Sequence, residues 1–161
     1  SSTDSARLAG MLGLPYAFAG HFALAHFYAA LDLYRRSFRP SEVLQKPYVI
    51  ACVNVVAAGD DQEADQLATS LQSLFLGIVT GKRSRLVPPV ESMEGVWNEY
   101  EKAAVWQMLA FSFFGSVEKI RSHLEGFVER TQVEEIMATS HIYDHGARLR
   151  SYELFAEACK S

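Results

Sequence analysis

A run of apolar residues from Tyr48 to Ala58, YVIACVNVVAA, sets the tightest limit on how this chain can fold. It holds Val49, Ile50, Val53, Val55 and Val56, is interrupted by Asn54, and is bounded by Pro47 before and Gly59-Asp60-Asp61 after. A β-branched run closed by turn residues reads as a strand buried on both faces, the kind found in parallel sheets. A buried helix is the rival, and the β-branching and flanking Pro and Gly argue against it. Burying those Val and Ile side chains is worth roughly 1.5–3 kcal/mol each, while ordering the backbone costs about 1–2 kcal/mol per residue. The strand therefore needs neighbours and covering helices.

Composition narrows the class. The chain has 161 residues, 49% of them hydrophobic, and no Ser/Gly-rich or Pro-rich tract divides it, so one domain over residues 1–161 is expected. A net charge of −4, with Lys and Arg scattered apart from Lys82-Arg83-Ser84-Arg85, offers no extended basic surface, so nucleic acid is not an expected partner. Cys52 and Cys159 form neither a disulfide framework nor a metal spacing and read as free thiols in a reducing cytoplasm. The longest apolar stretches, Tyr48 to Ala58 and Ala103 to Phe114, fall short of the ~20 residues that span a bilayer, and no signal peptide is visible. The expectation is a cytoplasmic protein with no membrane partner. The chain opens on Ser1-Ser2-Thr3-Asp4-Ser5, with no Met and no preceding strand, where a strand-to-helix turn would sit; this predicts an upstream half.

The pattern along the chain alternates. Ser2, Thr3 and Asp4 are N-cap candidates for a helix ending at Gly13. Leu14 to Ala19 reads as a second buried strand, and Phe27 to Phe38 as a helix stopped by Pro40. Asp60-Asp61-Gln62-Glu63 opens a helix carrying Leu67, Leu71, Leu74 and Phe75; Gly77 to Met93 reads as a loop and Val96 to Phe113 as another helix. Gly115-Ser116 breaks the pattern, Ser116 caps Val117 to Arg130, Val133 to Ser140 supplies a third strand, and Asp144 caps a final helix. This order predicts an α/β fold with about three parallel strands joined by right-handed crossovers. The strands' C-terminal ends would then bring Ser1-Ser2, Gly20-His21, Gly59 and Ser140-His141 to one face, where ligand sites of α/β sheets and barrels lie.

Candidate chemistry is sparse. Ser1, Ser2 and Ser5 surround a helix N-terminus, where unpaired N–H groups and the helix dipole favour an anion. Plain capping and phosphate binding both remain open. His141, Asp144 and His145 resemble a metal or acid/base cluster, but a strand end and a helix start do not aim both imidazoles at one ion. His141 or His21 could face a substrate or pack at a strand end. Tyr16, Phe18, Phe22, Phe27 and Tyr28 read as core aromatics before they read as a stacking set. No catalytic triad, P-loop or dinucleotide fingerprint is present, and no catalytic acid or base stands out.

Five stretches, in order, resemble the C-terminal half of the bacterial luciferase-like, flavin-dependent oxidoreductases. They are Ser1 to Phe22 (SSTDSARLAGMLGLPYAFAGHF), Leu31 to Ser41, Val53 to Ala64, Phe114 to Phe127 and Ser140 to Glu157. The resemblance implies a partial (β/α)8 TIM barrel holding the last three strands. It implies FMN as cofactor, its reduced form supplied by a flavin reductase, with O2 and a small organic substrate such as an aldehyde or alkane; other members use a deazaflavin. By the same resemblance Ser1, Ser2 and Ser5 fall where the family grips the FMN phosphate, and Ala19 and Gly20 lie beside the flavin ring. The family's first four strands, which carry most of the substrate pocket, have no counterpart here, and Val117 replaces the usual Pro after Gly-Ser. A half barrel implies association with a missing N-terminal half, a second subunit or a copy of itself. The alternative is a non-catalytic truncated module that binds flavin or assembles with a subunit.

Overall fold

The computed structural model describes residues 2–20 and 26–160. The elements are α1 (Thr3–Leu12), β1 (Tyr16–Phe18), α2 (Phe27–Ser37), β2 (Val49–Ala57), α3 (Asp61–Val79), α4 (Glu99–Met108), β3 (Ser112–Gly115), α5 (Val117–Thr131), β4 (Glu135–Thr139) and α6 (His145–Ala158). They form two compact units, Ser1–Val53 with Phe127–Met137 and Asn54–Gly126 with Ala138–Ser161, and β2, α5 and β4 contribute residues to both.

In the first unit, Ser2 caps α1 and Gly13 ends it in the left-handed conformation at φ 64°, as the sequence predicts. The chain then enters β1, which pairs in parallel with the start of β2 in the register Tyr16 to Val49 and Phe18 to Ala51. The Tyr48 carbonyl accepts the Tyr16 N–H at 2.9 Å, while the next carbonyl, Val49, accepts the Glu134 N–H at 3.1 Å. Successive carbonyls of a strand point to opposite edges, so β2 is flanked on both sides. Tyr34 of α2, fully buried, is the internal tie: its hydroxyl accepts the Tyr48 N–H at 3.0 Å and lies within donating distance of the Leu14 carbonyl at 2.9 Å. Its ring stacks on Tyr16 with centroids 5.4 Å apart, and Phe27 bridges Phe18 and Phe127. Arg35 donates to the Thr131 and Gln132 carbonyls at 2.7 and 2.6 Å, placing a cation at the C-terminus of α5, where the helix dipole favours one.

In the second unit, β2 continues in parallel with β3, Asn54 opposite Ser112 and Ala57 opposite Gly115. Asn54 is fully buried, and both ends of its carboxamide are engaged: Nδ2 donates to Ser112 Oγ and Oδ1 accepts from Thr139 Oγ1, each at 3.2 Å. Asp60 caps α3 through the Glu63 N–H at 2.8 Å, and the Glu63 carboxylate accepts the Gly59 N–H in return at 3.0 Å. Leu71 and Phe75 of α3 pack with Val56, Val105, Leu109, Phe114 and Ile142. Asp144 caps α6 through the Ala147 N–H at 2.8 Å.

The fold class agrees with the sequence reading, with one strand more than expected, and the stretch 96–113 is corrected. Asn98 and Glu101 form a capping box, so α4 begins at Glu99 instead of Val96. Beyond Met108 the aromatic run Phe111 to Phe114 leaves the helix and pairs with β2, where it meets partners for its backbone groups as well as its rings. The predicted loop also starts later, because α3 runs through Val79.

Gly10 shows how tightly α1 and α2 meet. A Cβ there would lie 2.6 Å from Ser37 Oγ and 2.7 Å from the Tyr34 carbonyl oxygen. Alanine in a helix gains about 1 kcal/mol over glycine, but overpacking against a backbone carbonyl costs about 1–3 kcal/mol. Gly10→Ala is therefore expected to lower the urea midpoint; a raised midpoint would show that the two helices can part at no cost.

Candidate functional site

Ser2 and Ser5 are brought together at the start of α1. Ser5 N–H donates to Ser2 Oγ at 3.2 Å and Ser2 N–H donates to Ser5 Oγ at 3.1 Å, a reciprocal capping box. Tyr16, a core aromatic by its place in the sequence, also serves this turn: its ring is buried and its hydroxyl donates to the Ser2 carbonyl at 3.0 Å, lying 3.4 Å from Ser5 Oγ. The Ala6 N–H closes the first turn on the Ser2 carbonyl at 3.1 Å. That leaves the N–H groups of Thr3 and Asp4 without partners among the described residues, at the positive end of a helix of 10 residues. The capping reading is thus realised, and two donors remain for a ligand. Asp4 also lies in the first turn; its carboxylate stabilises the helix and would oppose an anion.

Ala19, half-buried, and Gly20, buried, lie just past the end of β1, where the Gly20 N–H turns back onto the Phe18 carbonyl at 2.8 Å. Ser1, His21 and Phe22, three residues that the sequence singles out as candidates, lie outside the described residues. Nearby in the first unit, Cys52 lies 3.9 Å from Met137 Sδ and burial raises its thiol pKa, so it is a poor nucleophile.

In the second unit, the end of β4 is fastened by α6. The Ser151 hydroxyl accepts the Ala57 N–H at 2.9 Å and meets Ser140 Oγ at 3.3 Å, while the Tyr152 hydroxyl accepts the Ser140 N–H at 3.0 Å. His141 follows directly. Its Nδ1 is enclosed with no hydrogen-bond partner among the described residues. Burial pushes the imidazole below its ordinary pKa, and the nearby Arg148 guanidinium adds to the effect. His145 instead sits 2.8 Å from Arg148 Nη2, and among the described residues no group of three or more His, Cys, Asp or Glu is placed to hold a metal. Nor is any helix among them long and apolar enough to cross a membrane.

Parallel strands linked by helices make this an α/β fold with an open parallel sheet, the arrangement from which β/α barrels are built. No protein-family model matches the chain. The whole chain is 47% identical to the uncharacterized protein YvbT of Bacillus subtilis, covering 48% of that protein. A luciferase-like monooxygenase of Escherichia coli is 43% identical over 96% of the chain and 46% of its own length. Among solved structures, apo-MsnO8 superposes with a TM-score of 0.79 at 29% identity, covering 98% of this chain and 48% of that one. The oxygenating constituent of 3,6-diketocamphane monooxygenase from Pseudomonas putida, a type II Baeyer-Villiger enzyme solved in complex with FMN, agrees in fold. Its TM-score is 0.60 at 18% identity, over 96% of this chain and 44% of that one. The chain belongs to the luciferase-like monooxygenase family and spans about half the length of the curated relatives it matches.

The state of His141 makes stability depend on pH. Its folded pKa lies below the ordinary 6.5, so as pH falls below that value the unfolded chain takes up the proton first and stability drops. Urea unfolding followed from pH 7.5 to 5.5 should show this decline, and His141→Asn should remove that part of the slope. An unchanged slope would mean the imidazole is protonated as freely in the folded protein as in the unfolded chain.

Proposed function

We propose that residues 1–161 form the C-terminal part of an FMN-dependent monooxygenase of the luciferase-like type, in which the N-terminus of α1 holds the flavin phosphate. The observation that carries this is the pair of unpartnered N–H groups at Thr3 and Asp4, among the described residues, beside the Ser2 and Ser5 hydroxyls. A phosphate there would gain backbone donors and the helix dipole, and the Ser2 and Ser5 hydroxyls once they turn from the bonds they donate to Ser5 Oγ and the Ser2 carbonyl. Ser1 belongs to the same proposed cradle by sequence. Ala19 and Gly20 would stand beside the flavin ring, where small residues leave room for a planar group.

When bound, FMN reduced by a separate flavin reductase supplies the electrons that activate O2 for oxidation of a small organic substrate, in the manner of an alkanal monooxygenase. The chain's own residues bind and orient: the α1 turn fixes the phosphate, Tyr16 fixes the turn, and the apolar strands exclude water. The half-buried, neutral His141 offers one hydrogen-bonding position at the end of β4.

The remaining strands would come from residues outside this chain or from a second copy. Among the described residues β1 and β4 each pair only with β2, and both leave side chains open, Ala17 on β1 and Met137, 49% exposed, on β4. Such edges call for partners. A second reading, a module that binds FMN or assembles with a subunit without turnover, draws on the match to only about half of each relative.

The test uses the full-length protein with Ser2→Ala and Ser5→Ala together. Losing hydrogen bonds to a charged phosphate, at roughly 1.5–3 kcal/mol each, should weaken FMN binding at least about tenfold while riboflavin binding stays constant. Equal effects on the two ligands would sink the phosphate assignment. Tight FMN binding without substrate-dependent O2 consumption would favour the non-catalytic module.

A further inference from the structure

The second unit carries a cleft that the flavin reading does not use. One face of α3, at the helical spacing of Asp65, Thr69 and Gln72, forms one wall, and residues 91–97 with α4 form the other, enclosing about 1190 Å3. Its walls are fixed: the Val90 N–H is held by Thr69 Oγ1 at 2.9 Å, Ser73 Oγ reaches Met93 Sδ at 3.5 Å, and the Asn98–Glu101 box starts α4.

Three features of the cleft point the same way. Asp65, Glu91, Glu94 and Glu99 line it against the single cation Lys102, and none of these carboxylates has an ion-pair partner among the described residues. Both tryptophans of the chain, Trp97 and Trp106, line it too, and indole faces attract cations. Gln72, only 7% exposed, lines the same cleft, and its carboxamide has no hydrogen-bond partner among the described residues, so the little surface it keeps is open to a ligand's N–H groups. The carboxylates do not converge: no metal-holding group of acidic residues exists among the described residues. Separated negative charges call for separated positive ones on a flexible, narrow chain whose N–H groups can reach the Gln72 carboxamide in the cleft wall.

We propose that this cleft binds a linear aliphatic polyamine, its ammonium groups spread over the carboxylates and indoles and one N–H donated to the Gln72 carboxamide. The site is independent of the flavin reading and would stand if that reading failed.

The test is calorimetric titration of the full-length protein with spermidine. Saturable binding with one equivalent is expected, quenching tryptophan fluorescence and weakening as salt is raised. Asp65→Asn with Glu91→Gln should weaken it roughly tenfold or more, since hydrogen bonds to charged groups carry effects of that size. The control pair Glu118→Gln with Glu125→Gln, exposed on α5, should leave it unchanged. Gln72→Leu should weaken binding, and Gln72→Glu, which keeps the polar side chain, should tighten it. Absence of binding, equal loss in the control pair, or indifference to both Gln72 variants would overturn the proposal.

Discussion

Everything in this fold depends on β2 finding partners for its backbone. An apolar strand of this length buries its side chains readily, but each buried N–H and C=O left unpaired would cost about as much as a side chain gains. The structure meets that demand in ways that organise the rest. At the start of the strand, Tyr48 and Val49 turn alternate carbonyls to Tyr16 and Glu134, and the Val49 N–H is met by the Glu134 carboxylate at 2.6 Å. At its end, the Ala57 N–H goes to the Ser151 hydroxyl of α6 and the Ala58 N–H to the Gly115 carbonyl at 3.2 Å. The one polar side chain of the run, Asn54, is engaged entirely by hydroxyls of β3 and β4. Each partner in turn fixes the element that carries it.

The parts of the fold governed by short-range chemistry were legible in the sequence. Ser2, Gly13 and Asp144 perform the capping roles their types and positions predict, and Asp60 caps the helix that its acidic stretch is expected to open, because a cap depends on residues three or four apart. The stretch after Met108 was not legible. Phe111 to Phe114 continues an apolar pattern compatible with a helix, and only the distant edge of β2 decides that it becomes β3. Long-range pairing of this kind leaves no local signature.

The candidate site divides the same way. That Ser2 and Ser5 share one helical turn follows from their spacing, as does the rough placement of Ala19 and Gly20 at a strand end. That Tyr16 would reach the Ser2 carbonyl, or that Ser151 and Tyr152 would hold the end of β4, needs the packed structure. The isolation of His141 Nδ1 is likewise a property of what surrounds it rather than of its neighbours in sequence. The family resemblance carried by the five matched stretches agrees with the relatives found, and the cofactor proposed from it is one that no local motif in the chain encodes.

The central functional claim is that the first turn of α1 grips the flavin's phosphate, and backbone amide NMR of the full-length protein tests it most directly. On addition of FMN, the Thr3 and Asp4 amide resonances should move strongly downfield as their N–H groups take an anionic partner, with Ser2 and Ser5 shifting less. Saturation with FMN that leaves Thr3 and Asp4 in place would contradict the account and put the phosphate elsewhere.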